Sequence, residues 1–247
     1  MLDNEELARK AAAFKRDSRK EFDKAVAALI ALAFEYRYMG ADFLWDKDPE
    51  LDAMANEICR NLSDKLAALA KDIAMRICDE SLDEFDFDDA WDENGDGEDK
   101  RIFPILPLLD QQGSLLKELL EIWLALAFVY EMGQGELRVE ISRNLANPLL
   151  SRLWKGLPKD VLKWGRGYPK NIAEQLAVIG QNAIVASVRN AEWQDAVAKG
   201  YNYYIRHRGS NYYCPDCDDL CGYPIPIEEP FEFLHSRCMC WPEYIKA

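Results

Sequence analysis

Apolar residues recur at steps of three and four along three stretches of the first 165 residues, which is the period of an amphipathic α-helix. The second stretch has a marked start, because Asp48 can cap a helix and Pro49 suits the first helical position. The pattern therefore predicts an N-terminal bundle of long helices. The three stripes are Val26, Leu29, Ile30 and Ala33; Ile58, Leu62, Leu66, Leu69, Ile73 and Ile77; and Leu116, Leu119, Trp123, Leu126 and Tyr130.

A fourth helix is predicted after residues 163–169, where two glycines and a proline interrupt the pattern. Asn171 and Glu174 resemble a capping box, and Gly200 is placed to end the helix. Residues 201–208 are aromatic and β-prone, which predicts a strand. We expect a mostly α protein with a helical domain at 1–165 and a small α+β domain at 166–247. The stripe of the fourth helix is Ile172, Leu176, Ile179, Ala183, Ala186, Trp193 and Val197.

A short internal repeat runs through the helical domain. Residues 31–34 recur as 125–128, and residues 57–62 recur with one change as 140–145. Two helical hairpins related by duplication would explain the repeat, and chance matches between helices rich in alanine and leucine are the alternative.

The formal net charge of −14 is unevenly distributed. Residues 79–99 carry twelve carboxylates and no lysine or arginine, and prolines follow at 104 and 107, so residues 79–107 are predicted to form an exposed acidic linker. Residues 151–210 carry ten Lys and Arg against four acids. The C-terminal part is therefore basic, and the net charge does not exclude DNA as its partner.

No export or membrane signal is expected. The first ten residues are polar and acidic, and the longest apolar runs are about ten residues, against roughly 20 needed to cross a bilayer. Seven cysteines in such a chain indicate reduced thiols. Cys59 and Cys78 lie on a predicted helix and are expected in its core, whereas five cysteines crowd into residues 214–240.

This crowding predicts a structural zinc site. Two sulfurs separated by two residues can face one ion at about 2.3 Å, and a second knuckle can complete a tetrahedral set. We favour Cys214, Cys217 and Cys238 as ligands, with either His235 or Cys240 as the fourth and Cys221 as a bystander. The alternative is a small core of reduced thiols without metal. The six candidates are Cys214, Cys217, Cys221, His235, Cys238 and Cys240.

An enzyme is not expected. A catalytic zinc needs an open coordination position and a neighbouring general base, and no ligand-x-Glu turn lies upstream of Cys214. The chain has only two histidines and no glycine-rich phosphate loop, so no small-molecule substrate is indicated.

Aromatic and basic groups interleave just before the cysteines. Tyr203, Arg206, His207 and Arg208 are candidate contacts to nucleic acid, because such groups stack on bases and pair with phosphates. The alternative is a β-hairpin packed on the metal site with its cations in water.

Residues 172–242 resemble the C-terminal region of the Mu F-like minor head proteins of tailed bacteriophages. The resemblance rests on the order of a helix ending in glycine, a strand, Cys214-Pro-Asp-Cys217-Asp-Asp-Leu220-Cys-Gly222 and His235-Ser-Arg-Cys238-Met-Cys240. Ser236 and Met239 depart from the proline and arginine that the family carries at these places.

The resemblance implies a non-enzymatic phage or prophage head morphogenesis protein, acting in capsid assembly, portal association and DNA packaging or retention. Its expected partners are portal and capsid proteins and DNA, and its expected location is the virion or the cytoplasm of the bacterial host. A zinc-knuckle nucleic-acid-binding protein outside any virion is the alternative. A zinc-dependent hydrolase or deaminase is the third hypothesis.

Overall fold

The computed structural model describes residues 3–82, 87, 90–92, 94, 103–142, 168–209, 214–232 and 238–246, with the side chains of 142 and 168–171 excepted. The described chain is mostly helical and ends in a small sheet, which confirms the predicted fold class. The elements are α1 (Asn4–Glu35), 3₁₀ helices at Arg37–Asp42 and Trp45–Lys47, α2 (Pro49–Ser81), α3 (Ile105–Val129), α4 (Gln134–Ser142), α5 (Tyr168–Ala198), β1 (Tyr203–His207), α6 (Pro215–Asp218), β2 (Pro224–Pro226) and β3 (Trp241–Ile245).

The chain divides into two compact units. The first unit comprises Met1–Asp17, Leu66–Leu108 and Ala177–Ala247, and the second comprises Ser18–Lys65 and Leu109–Leu176. The expected boundary at 165 and 166 falls outside the described residues, so independent folding of 1–165 and 166–247 stays a prediction. Within the described residues, the C-terminal sheet shares its unit with the start of α1.

The second unit is organised around aromatic side chains. Trp45 is buried and donates from its indole nitrogen to the carbonyl oxygen of Lys117, while its backbone N–H donates to the Glu121 carboxylate. The rings of Phe34 and Phe128, which occupy equivalent places in the internal repeat, lie 5.1 Å apart. The repeat segments fall on α1, α2, α3 and the end of α4, residues 143–145 lie outside the described residues, and duplication stays a prediction.

The structure confirms one of the two predicted helix starts and changes the predicted acidic linker. Asp48 accepts hydrogen bonds from the backbone N–H groups of Glu50 and Leu51, so the predicted cap of α2 is confirmed. The capping box at Asn171 is wrong, because α5 begins at Tyr168. The acidic linker is not exposed throughout, since Phe87 and Ala90 are buried. It is also shorter than predicted, because α2 ends at Ser81 and α3 starts at Ile105.

Helix α5 is the core element of the first unit. Each of residues 183–192 is buried, so this part of the helix is covered on every side, and the predicted one-sided stripe understates its burial. Phe14 lies against Gly180, where an added Cβ would come within 2.0 Å of its ring. Gly200 has a positive φ of 72° and ends the helix as predicted, because a left-handed residue terminates a helix at little cost only when it is glycine.

The sheet is antiparallel with the order β2-β1-β3. Strand β1, predicted from residues 201–208, is confirmed and lies in the centre. Its residues alternate in burial, with Tyr204 and Arg206 buried. In the described part of the chain, no helix is both long and apolar enough to span a membrane.

Candidate metal centre

The first metal-binding segment is a single helical turn. Cys214 directly precedes α6, and its carbonyl oxygen accepts the backbone N–H of Asp218. Cys217 lies inside the turn and is buried. Gly222 follows with a φ of 86°, and its N–H donates to the Arg206 carbonyl oxygen, which returns the chain to β1.

The second segment is the pair Cys238 and Cys240, which immediately precedes β3. Both side chains are buried. The Sγ atoms of Cys217, Cys238 and Cys240 all lie within 4.8 Å of one another, and those of Cys217 and Cys238 are 3.9 Å apart. Two segments distant in sequence therefore bring three thiols to one point.

This geometry fits a tetrahedral metal ion. Zinc–sulfur bonds of about 2.3 Å place two sulfur ligands of a tetrahedron about 3.8 Å apart, close to the separation of Cys217 and Cys238. Soft thiolate ligands favour zinc, copper(I) and iron–sulfur clusters over magnesium or calcium. Cys217, Cys238 and Cys240 would hold the ion.

Two more thiols flank these three. Cys214 interacts with the thiol of Cys217, and Cys221 interacts with the thiol of Cys240. Both side chains are half-buried and pack against the same small core. The fourth ligand can therefore come from either flanking thiol, and the remaining candidate, His235, lies outside the described residues.

Burial governs the protonation of these thiols. It raises the pKa of Cys217 to about 12 and also raises the pKa of Cys221. A metal ion must therefore displace a proton from Cys217 at neutral pH. Cys59 and Cys78 are buried as predicted, and burial raises their pKa values to about 11 and 12, so they remain protonated core thiols.

The cysteines belong to a small apolar cluster. We call the two metal-binding segments the first knuckle, which carries Cys214 and Cys217, and the second knuckle, which carries Cys238 and Cys240. Ile227 and Phe231 lie between them in sequence and are buried against the three thiols and Tyr204. The indole nitrogen of Trp193 donates to the Ile227 carbonyl oxygen at 3.0 Å, which ties this segment to α5. The segment between the two cysteine pairs therefore contributes to the small apolar core that surrounds the thiols.

The four candidate nucleic-acid contacts have different surroundings. Arg206 is buried with its guanidinium 4.1 Å from the centre of the Phe231 ring, where phosphate cannot reach it. His207 stacks on Trp241 and pairs with Glu243, and Arg208 pairs with Asp218 at 2.6 Å. Tyr203 is exposed. The sequence pattern missed these partners because Phe231, Glu243 and Asp218 lie on other elements.

One residue near the site carried no sequence signal. The side-chain amide of Asn4 donates to the carbonyl oxygen of Met239, which lies between Cys238 and Cys240 and 235 positions further along the chain. No cysteine pattern points to such a contact.

Models of known protein families, curated proteins and solved structures give no match to this chain.

Proposed function

We propose that the three buried thiols bind one structural zinc ion, with Cys214, Cys221 or His235 completing the set. The observation that carries the proposal is the convergence of Cys217, Cys238 and Cys240 within 4.8 Å. Among the described residues this group contains thiols only, and an all-sulfur buried set is typical of structural rather than catalytic zinc. In this proposal the zinc ion therefore has a structural and not a catalytic role.

The protein acts as a minor head protein of a bacteriophage or prophage. Support comes from the order of elements around the thiols: a long helix ending in a left-handed glycine, strand β1, the first knuckle, the second knuckle and β3. This order is the one on which the resemblance to Mu F-like proteins rests. In this proposal zinc fixes the C-terminal module while helical surfaces contact portal and capsid proteins.

Exposed apolar side chains supply candidate contact points for those partners. On α3, Ile122 and Val129 are seven residues apart, so they lie on one face of the helix. Val139 on α4 is also exposed. Direct DNA binding has less support, because Arg206 is buried and Arg208 is paired.

Metal analysis of the purified full-length protein tests the zinc assignment. The expected result is about one zinc ion per chain, displaced only by a strong chelator. The competing hypothesis of a metal-free thiol core predicts no stoichiometric metal and a C-terminal part that resists protease in the presence of chelator.

Genetic context and particle analysis test the head function separately. The gene is expected beside genes for portal, terminase and capsid proteins, and its deletion should leave heads empty or malformed by electron microscopy. Normal, filled heads from the deletion strain would remove the assembly role while leaving the zinc assignment intact.

A further inference from the structure

The start of α1 reaches the metal centre through one side chain. The Asn4 Nδ2 atom donates to the Met239 carbonyl oxygen at 2.8 Å, and Met239 is the single residue between Cys238 and Cys240. The Asn4 Oδ1 atom accepts from the Arg189 guanidinium at 2.8 Å. A carbonyl can only accept and a guanidinium can only donate, so a single orientation of the amide satisfies both partners.

The two hydrogen bonds of Asn4 form a bridge between Met239 and Arg189, and its Arg189 end is held firmly in place. Arg189 is fully buried in α5 and forms an ion pair with the buried Glu192, three residues further along the helix. A buried ion pair is costly to break, because either partner alone would be left as an unpaired charge. Asn4 therefore connects the Met239 carbonyl to a fixed point in the core of the unit.

At its Met239 end, the Asn4 bridge is closely packed against Gly209 and borders a cavity. An added Cβ on Gly209 would lie 1.5 Å from the Met239 carbonyl oxygen and 2.7 Å from the Asn4 Nδ2 atom. A cavity of about 300 Å³, lined in part by Ala8, Ala11 and Met239, adjoins this contact. Apolar packing between α1 and Met239 is thus incomplete, and the amide hydrogen bond supplies the direct polar link.

We propose that Asn4 is a positioning residue of the metal centre, which orients the peptide between Cys238 and Cys240 and couples metal binding to the docking of α1. This inference rests on the proposed zinc site. Groups that orient ligands from outside the coordination sphere commonly change metal affinity by about 10- to 100-fold when removed. Because coupling is reciprocal, metal binding must favour the docked α1 by the same factor by which docking of α1 raises metal affinity.

The decisive variant is Asn4→Asp. A carboxylate keeps the acceptor for Arg189 but loses the donor to Met239 and faces its carbonyl oxygen. Zinc affinity, measured by competition with a chromogenic chelator, should fall about 10- to 100-fold in Asn4→Asp and in Asn4→Ala. Glu5→Ala, on the same turn and exposed, is the matched control and should bind like wild type.

Two further measurements separate positioning from loss of fold. Cobalt(II) alone serves as a spectroscopic probe, and its visible absorption should differ between Asn4→Asp and wild type if the ligand geometry changes. Hydrogen exchange of residues 4–17 should slow on metal addition in wild type but much less in Asn4→Asp.

Wild-type zinc affinity and an unchanged cobalt spectrum in Asn4→Asp would overturn this proposal alone. A wild-type protein that binds no zinc would overturn the proposed zinc site, and this inference with it. If Asn4→Ala fails to fold, the result rests on Asn4→Asp, which retains the Arg189 partner.

Discussion

Among the individual residues of the candidate site, Cys217 lies at the centre of the group of thiols. Its Sγ atom lies 3.9 Å from that of Cys238, it is buried, and its neighbours include Cys214 and Cys240. The Cys217 thiol therefore interacts with cysteines of both knuckles, and its loss should disrupt the site more than loss of either flanking thiol.

Cys217→Ser should reduce bound zinc from about one ion per chain to a small fraction of that, because a serine hydroxyl is a poor zinc ligand at neutral pH. Elemental analysis of gel-filtered protein measures the loss. Cys59→Ser, in the second unit, is the control and should retain full zinc. A Cys217→Ser protein that keeps its zinc would place the ion elsewhere.

The flanking thiols decide the ligand set. Cys221→Ser should retain zinc if Cys214 or His235 is the fourth ligand, and should lose affinity if Cys221 is. The spacing of cysteines predicted that a site exists and which residues are candidates. The spacing also ranked Cys214 among the first three ligands and Cys221 as a bystander, whereas the structure groups Cys240 with Cys217 and Cys238. Spacing alone could not show this grouping, because it depends on how two segments distant in sequence pack together in the folded chain.

Glu121 is a half-buried carboxylate whose pKa is raised, chiefly by burial, although it accepts the backbone N–H of Trp45. The pKa of this carboxyl in the unfolded state is about 4.3. Between that value and the higher folded pKa, the carboxyl is mainly protonated in the folded state and mainly ionised in the unfolded state. Stability contributed by this group is present at low pH and is lost as pH rises from the unfolded pKa through the higher folded pKa.

Glu121→Gln removes this charge while keeping an acceptor for Trp45. Denaturant unfolding of both proteins at about pH 3.5, below the unfolded pKa, and at about pH 7 should show the variant gaining stability relative to wild type as pH rises. An unchanged difference between the two pH values would mean that the carboxylate is not destabilised by burial.

At the level of elements, helix periods identified α1, α2, α3 and α5 but understated how many positions of α2 and α5 are buried. Small residues explain part of this: Ala67, Ala70 and Ala74 are buried on α2, yet alanine carries little hydrophobic signal. In α5 the buried residues also include Arg189, which is charged and therefore does not contribute to an apolar pattern. Small residues allow helices to approach closely, and which small residues do so is visible only in the folded structure.

Gly180 illustrates such a contact. An added Cβ would lie 2.0 Å from the ring of Phe14, so Gly180→Ala should destabilise the first unit by about 1–3 kcal/mol through overpacking. Gly135 in α4 is the matched site, because a Cβ added there would have no atom within 4 Å. The control variant Gly135→Ala should be neutral or stabilising by up to about 1 kcal/mol. Urea denaturation measures both, and equal effects would show that Phe14 moves aside freely.

At the level of the whole molecule, the first unit is assembled from three separate stretches of chain. Sequence patterns are local, so they placed a domain boundary where the helical pattern breaks, near residue 165. They could not show that the start of α1 belongs with the C-terminal sheet, because that connection depends on contacts between residues far apart in the chain, such as Asn4 with Met239 and Phe14 with Gly180.

Removal of zinc should loosen the first unit selectively. Structural zinc can contribute on the order of 10 kcal/mol to a small module, whereas the cluster around Phe231 and Ile227 is small and cannot replace it in full. Trp45 and its partners in the second unit have no metal ligand among them. With chelator added, amides of β1 and β3 should exchange at least about tenfold faster, while amides around Trp45 keep their rates, since their opening does not require loss of metal.

The readout is hydrogen exchange by mass spectrometry on full-length protein with zinc and with excess chelator. Helical circular dichroism should fall only slightly, because most helical residues lie outside the sheet and its knuckles. Faster exchange throughout both units would mean that they unfold together and that zinc stabilises the whole chain. Unchanged exchange in β1 and β3 would mean that the thiols hold no structural ion, because a bound ion that stabilises only the folded knuckles must slow their opening.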